Sequence, residues 1–560
     1  MGPTIICVGL ILENKYDYRN KLMKAMAVAP QPRAVEEAVK VLRNGGNAID
    51  AAITAAFIQG VIDPLNCGIG GLGWMHIYLA EFSKDLVVDF CSKAGSKATP
   101  DIWADKVLDT CPDGGGYILN GDLNEIGYQS IGVPTAIRGL HDVLSGYGTF
   151  NWSDTIRPSI ELAQQGYRIP HELAAEWRIN YAKGRPNASQ RFSNTVASKS
   201  IYMPTGVLLN EGNFLLNNDY ALTLETIAEN PEDFYSGNIA ERLSNDWEDN
   251  GALVTKDDLY SYTTENQKPI RTTYRGYVIS STQSPSGGVT LAGILNILEG
   301  YDLAAIRHNS SEYIHIIVNA LKSAFVDRVE YVGDPSFVKV PQEDLVSKER
   351  AQMWRNKIDS GDDIGTGYNV SLNGAGTTHI SIVDSSGNCV SLTHTNGLCS
   401  GVVTPGLGFL QNNYMIAFDP IPGRPNSIAP GKKRTTGALP CIIFNNNSPF
   451  MVVGAPGGTY IISAVLQTIL NVIDHGMTAT EAVSAPRFDC QGNEVYLEGR
   501  ISSDVCDELV AKGHRVYRDS ASYGIYPSRA ARVQAIVVDQ NNGNLSGGSD
   551  PRGYGVAIET

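Results

Sequence analysis

The chain has 560 residues, 42% apolar and 18% charged, with a formal net charge of −15. That length can bury a large core and exceeds one average domain. The acidic balance excludes a nucleic-acid partner, which needs a basic face, and the densest cationic run is only Lys432, Lys433 and Arg434.

The chain begins with an apolar run, TIICVGLIL at 4–12. It lacks a basic leader and a small-residue cleavage site, so the cytoplasm is the expected compartment and secretion the alternative. No stretch reaches about 18 uninterrupted apolar residues, so no membrane-spanning helix is expected. The nine cysteines are scattered singly, with no CxxC, which is neither a disulfide framework nor a zinc pattern. Nothing like HExxH points to a metal.

"RAVEEAVKVLRNGGNAIDAAITAAFIQGVIDP" reads as two helices. Val35, Ala38, Val39 and Leu42 recur at helical spacing, and Gly45-Gly46 ends the first. The second is apolar all round, as in a buried helix. "CGIGGLG" follows, then the strands "WMHIYLA" and "LVVDF". Gly68, Gly70 and Gly73 formally spell GxGxxG, but a dinucleotide site needs a strand before and a helix after. Here the order is reversed. From about 156 to 350 the chain is mainly helical, with strands near "YRGYVISST" and helices in "VTLAGILNILEG" and "IHIIVNALKSAFVDRVEYV". Residues 355–376 hold five glycines among Asp, Ser and Asn; so long a loop in a compact protein is expected to be functional or mobile.

At Thr377 the pattern changes. "THISIV", "DSSGN" and "CVSLTHT" make an alternating hairpin. "MVVGAPGGTYIISAVLQTILNVIDHG" is a strand, a glycine turn and a helix, and "VQAIVVD" is a closing strand.

The chemistry that fits begins with a cut after Gly376. A threonine hydroxyl is a poor nucleophile without a base. A free N-terminal threonine carries its own, because its α-amine has an ordinary pKa of about 7.7–8.0. Gly374, Ala375 and Gly376 are small enough for the strained geometry of attack on the preceding carbonyl. Gly457 and Gly458 offer consecutive N–H groups at a helix start, suited to a developing oxyanion, although a tight turn would use the same residues. Thr395, opposite Thr377, is placed to hydrogen-bond its hydroxyl. His379 and His394 sit near this centre and are expected to pack rather than to act as bases. No GxSxG supports a serine hydrolase.

Together these residues resemble the γ-glutamyltranspeptidase (glutathione hydrolase) family of N-terminal-nucleophile enzymes. "VLRNGGNAIDAAI", "CGIGGLG", "GVPTAIRGL", "NILEGYDL", "AFVDRVEYVGDP", "TTHISIVDSSGN", "GRPNSIAPGKKR", "GAPGGTYII" and "APRFDCQG" carry the likeness across nearly the whole chain. The resemblance implies an α+β fold, a four-layer αββα sandwich made as one precursor. It implies self-cleavage into a large subunit, 1–376, with a helical region at about 156–350 and a linker at about 355–376, and a small subunit, 377–560. Thr377 is implied as nucleophile, Thr395 as its orienting partner, and Gly457 and Gly458 as the oxyanion glycines. The partners implied are a small-molecule amide and the paired subunits, with no cofactor, metal, nucleic acid or membrane.

The substrate pocket departs from the family pattern. Where the family grips the α-carboxylate with an Arg, "DFCS" places Cys91. Its paired serines become Thr436 and Gly437. The Asp, Gln and Asn that hold the α-amine become Ala417, Tyr414 and Gly397. Arg434 or Lys433 is the available substitute cation. The nominal substrate is glutathione or another γ-glutamyl amide. The alternatives are another acyl amide, as in the oxamate amidohydrolase-like or acylase-like branch, and an unprocessed, catalytically silent binding protein.

Overall fold

The computed structural model describes residues 24–110, 116–179, 185–365, 376–519 and 531–560. The apolar run at 4–12, Gly374, Ala375 and part of the expected 355–376 linker lie outside them.

Among the described residues, seven strands form one antiparallel sheet, ordered Val556–Glu559, Met26–Ala29, Thr378–Val383, Cys389–Thr395, Leu72–Leu79, Lys84–Phe90 and Glu265–Gln267. Six form a second, ordered Leu545–Ser549, Gln534–Val538, Ser448–Gly454, Cys441–Asn445, Tyr277–Ser281 and Ile270–Tyr274. The outer face of the first presents Met75, Ile77, Ile380, Ile382, Val390 and Leu392 to helices that include Pro32–Arg43 and Ala48–Ile62. The outer face of the second presents Ile279, Cys441, Ile443, Met451 and Val453 to Gly288–Leu298, Ser311–Tyr331 and Tyr460–Ile473. The alternate residues Met26, Val28, Val383, Ile442, Phe444, Val452 and Ile536 meet between the sheets. This is the expected four-layer αββα sandwich. Its period-two alternation lets each strand serve two cores.

Local chemistry fixes the elements near the centre. The Ala48–Ile62 helix starts at a capping box between Asn47 and Asp50. Asp50 also accepts the N–H groups of Thr149 and Phe150 at 2.8 and 3.0 Å, tying that start to the next layer. The glycine segment 67–71 runs from this helix into the Leu72–Leu79 strand, the order that excludes a dinucleotide fingerprint. A Cβ on Gly71 would overlap the Thr395 carbonyl oxygen, so the segment is bare for close packing under the hairpin.

One expectation needs correction. The linker does not begin at 355, because the helix Lys348–Asp359, capped by Ser347, occupies that stretch. It is mostly polar and buries only Ala351, Trp354 and Ile358, which leaves a weak periodic signal. The Thr378 hairpin alternates as read, yet both of its faces are buried. Its polar face meets the second sheet. Ser381 donates to the Gln534 carbonyl at 3.1 Å, and Ser391 to the Val453 carbonyl at 3.0 Å. Buried polar groups persist when so bonded. Among the described residues no helix is long and apolar enough to cross a membrane, and the described cysteines are free thiols.

Candidate active site

Thr377 immediately precedes the Thr378–Val383 strand. The register pairs Thr378 with His394, which sets Thr377 opposite Thr395 at the hairpin's open end. The Thr377 Oγ1 lies 3.1 Å from the Thr395 Oγ1 and 2.6 Å from the carbonyl oxygen of Gly376. The Thr395 hydroxyl also donates to that carbonyl and accepts the Gly397 N–H at 2.7 Å. Each hydroxyl has one hydrogen, so the arrangement supports a relay. Thr377 gives its proton to Thr395 as Thr395 gives its own to the Gly376 oxygen.

The chain around this contact is tightly held. A Cβ on Gly376 would overlap the carbonyl oxygen of Gly397. Gly397 has φ +73°, and its turn is pinned by Asn413, whose Oδ1 accepts the Leu398 N–H at 2.9 Å. Behind Thr377, Gln59 donates to the Thr378 Oγ1 at 3.0 Å and bonds His394 at 2.7 Å. Nucleophile and partner thus sit on a braced sheet, as precise positioning requires.

Opposite them the Ser448–Gly454 strand turns into the Tyr460–Ile473 helix. Gly458, at φ +62°, and Thr459 line the cavity in front of Thr377. Their N–H groups lead into a 14-residue helix whose N-terminus carries positive potential. Gly457, at φ +137°, is not among the residues that line the cavity, and a Cβ on it would overlap Ala531. A Cβ on Gly437 would overlap the Gly458 carbonyl oxygen, so these two glycines form a close crossing at the wall.

The cavity occupies about 570 Å³, counting its mouth. Of the pocket residues named from the sequence, Ala417, Arg434, Thr436, Gly437 and Gly397 line it. Cys91 and Tyr414 do not; they form a layer behind the wall. The Cys91 Sγ is 3.2 Å from the Tyr414 hydroxyl, which accepts the Arg434 N–H at 2.8 Å. Burial pushes the Cys91 thiol up to about 12, so it stays protonated. Lys433 is also off the wall, with its Nζ 2.8 Å from both Asp89 and Glu265. The sequence reading missed the apolar wall of Trp74, Leu398, Ile416 and Ile461. Trp74 and Ile461 read as strand and helix, and nothing in the spacing of the four marks a cavity. Among the described residues, no aspartate or glutamate lines it.

The two central histidines are structural, as expected. His379 bonds Thr393 at 2.8 Å, and its ring fills the space beside Gly454. Burial, aided by His394, pushes His379 down to about 3, and burial does the same to His394. Neither is basic enough for general-base work near neutrality. An unfolded histidine takes up its proton near pH 6.5. The stability these buried neutral rings contribute is therefore fully present above about 6.5 and is lost as pH falls towards 3. The thermal midpoint is expected to fall between pH 7 and pH 5, and His379→Gln, which cannot titrate, to flatten that slope. Calorimetry at a fixed scan rate checks this. Among the described residues no cluster of three or more His, Cys, Asp or Glu could hold a metal ion.

Comparison with known proteins agrees with this geometry. Residues 34–560 match the profile of the Gamma-glutamyltranspeptidase family. The chain is 36% identical to the Acylase ACY 1 proenzyme of Pseudomonas sp. (strain V22), over 96% of this chain and 93% of that one. It is 33% identical to the Glutathione hydrolase proenzyme of Escherichia coli (strain K12), over 94% and 90%. The crystal structure of cephalosporin acylase from Bacillus halodurans superposes with a TM-score of 0.83 at 27% identity, covering 98% of this chain and 99% of that one.

Proposed function

The chain belongs to the gamma-glutamyltranspeptidase family, and we propose that Thr377 is the nucleophile through which it works. It is an autoprocessing amide hydrolase and acyltransferase of the N-terminal-nucleophile class. The observation that carries the assignment of Thr377 is the three-way contact of Thr377, Thr395 and the Gly376 carbonyl.

In the precursor the Thr377 hydroxyl adds to the Gly376 carbonyl carbon, and the relay through Thr395 moves its proton to the carbonyl oxygen. The C–N bond to Thr377 then breaks. The proton on the Gly376 oxygen passes to the nitrogen, which leaves as the new α-amine, and as that C=O re-forms residue 376 is held briefly as an ester. Water cleaves the ester, leaving subunits 1–376 and 377–560 and a free hydroxyl. In turnover the α-amine takes the hydroxyl proton as Thr377 attacks a substrate amide, and returns it to the departing nitrogen. The backbone N–H groups of the Gly457–Gly458 turn are the donors assigned on this reading to the developing oxyanion. Water or an amine then accepts the acyl group.

The acyl group is, on this reading, not a γ-glutamyl head. A zwitterionic head needs a carboxylate for its ammonium, and among the described residues the cavity lining includes none. Ala417 stands where the family has its Asp. Losing such a buried charge pair costs about 2–5 kcal/mol.

The test is N-terminal sequencing of the purified protein, followed by assay of γ-glutamyl-p-nitroanilide against other acyl anilides. A small fragment beginning at Thr377, with the γ-glutamyl compound among the poorest substrates, is expected. A different new N-terminus would overturn the nucleophile, and preferential γ-glutamyl turnover would overturn the pocket reading.

A further inference from the structure

We propose that Asp63, a buried carboxylate off the cavity wall, is a positioning residue for the reaction. It sets the direction of a hydrogen-bond chain that ends on Thr378 and His394, the neighbours of the nucleophile and of its relay partner. This rests on Thr377 and Thr395 having those roles.

The chain is short and buried throughout. Asp63 ends the Ala48–Ile62 helix, and its Oδ2 accepts the Gln31 Nε2 at 2.6 Å. The Gln31 Oε1 accepts the Gln59 Nε2 at 2.6 Å and the Thr378 hydroxyl at 3.1 Å. The Gln59 Oε1 faces the His394 Nε2 at 2.7 Å. A side-chain amide has one donating and one accepting end, so each link dictates the next. A carboxylate only accepts, which turns the Gln31 nitrogen towards Asp63. The Gln31 oxygen then faces Gln59 and Thr378, the Gln59 nitrogen faces them in return, and the Gln59 oxygen is left for His394. His394 therefore carries its hydrogen on Nε2. A donor at position 63 reverses every link and moves that hydrogen to Nδ1.

Asp63 is held from its other side as well. Its Oδ1 accepts the Asn66 Nδ2 at 2.8 Å, and the same nitrogen donates to Glu176 at 2.9 Å. Glu176 lies 3.5 Å from the Arg532 Nη2, and the Arg532 N–H donates to the Pro456 carbonyl at 3.1 Å, beside the Gly457–Gly458 turn. The 63–66 segment also grips the hairpin next to Thr395. The Asn66 carbonyl accepts the Asn396 N–H at 2.7 Å, and the Pro64 carbonyl accepts the Asn396 Nδ2 at 3.2 Å. Asp63 thus stands between the nucleophile strand and the glycine turn. Burial and Glu176 push its carboxyl up. Both of its oxygens accept N–H groups, so the ionised form is the one that fits. A buried polar chain is rigid when every link is matched and loosens when one is not.

The experiment follows maturation of freshly purified precursor on a gel, at about pH 8, where the raised carboxyl is ionised. In Asp63→Asn the new amide keeps its oxygen on Asn66, turns its nitrogen to Gln31 and reverses the chain. Maturation is expected to slow by about tenfold or more, as small displacements at a reacting centre do. Gln31→Glu sets two acceptors face to face and is expected to slow it likewise. The double variant Asp63→Asn/Gln31→Glu restores the direction: the amide at 63 donates to the carboxylate at 31, which still accepts Gln59 and Thr378. It is expected to recover to within about threefold of wild type, a coupling that independent structural damage does not produce. Nitrogen-15 shifts of the His394 ring give a second readout, with the hydrogen on Nε2 in wild type and on Nδ1 in Asp63→Asn. The double variant and the wild-type spectrum decide the matter even where a single variant folds poorly. Wild-type rates in both single variants, a double variant no faster than Asp63→Asn, or a wild-type hydrogen on Nδ1 overturns the proposal. Failure of the Thr377 assignment looks different, because the new N-terminus then lies elsewhere.

Discussion

Replacing Thr377 by alanine leaves a single uncut chain with no detectable amide hydrolysis. The alanine side chain removes the oxygen that lies 2.6 Å from the Gly376 carbonyl oxygen, so the first addition has no nucleophile. Without the cut, the nitrogen of residue 377 remains an amide and cannot accept a proton. Both functions disappear together, so the loss is expected to reach at least about 10⁴-fold, as for nucleophile deletions elsewhere. Thr377→Ser keeps hydroxyl and future amine and is expected to mature, more slowly. Intact-mass spectrometry after prolonged incubation decides the matter; an alanine variant that still yields two fragments removes Thr377 from the mechanism.

Gly376→Ala is expected to slow maturation by about 10²-fold or more while leaving the fold intact. The added methyl would occupy the position of the Gly397 carbonyl oxygen. Gly397 cannot retreat freely, since the next residue, Leu398, is held by its N–H bond to the Asn413 Oδ1 at 2.9 Å. The Gly376 carbonyl must therefore swing away from Thr395, which breaks the relay. Shifts of about 1 Å at a reacting centre cost about 10²-fold. The expected signature is separable from general damage: circular dichroism and the thermal midpoint match wild-type precursor, whereas the time course of the two bands on a gel does not. Maturation at the wild-type rate would show that the Gly376–Gly397 approach has no part in the reaction.

Much of this was legible in the residues. The all-apolar helix at 48–62, the hairpin from Thr378 and the strand, glycine turn and helix around Gly458 each follow from a short periodic signal with clear punctuation. Thr377 and Thr395 could be named in advance because they sit at the ends of a hairpin, and Arg434, Thr436 and Gly437 through the family resemblance. Position along the chain could not reveal depth. Cys91 and Tyr414 correspond to wall residues by sequence but fall one layer back. Trp74 and Ile461 have the periodicity of core and face a cavity. Gly457 and Gly458 look alike in sequence, yet their backbones point differently, at φ +137° and +62°. Such distinctions depend on how layers meet, and no local pattern encodes them.

The strand order has a consequence for the cut molecule. In the first sheet, Met26–Ala29 lies on one side of the Thr378–Thr395 hairpin and Leu72–Leu79 on the other. A break before Thr377 therefore yields two pieces threaded through one another, not two modules side by side. Dilution has no seam along which to separate them. Denaturation, in contrast, is irreversible in a new way: recovery becomes a meeting of two polypeptides and depends on concentration. The uncut chain faces no such search, so folding must be finished before the bond is broken.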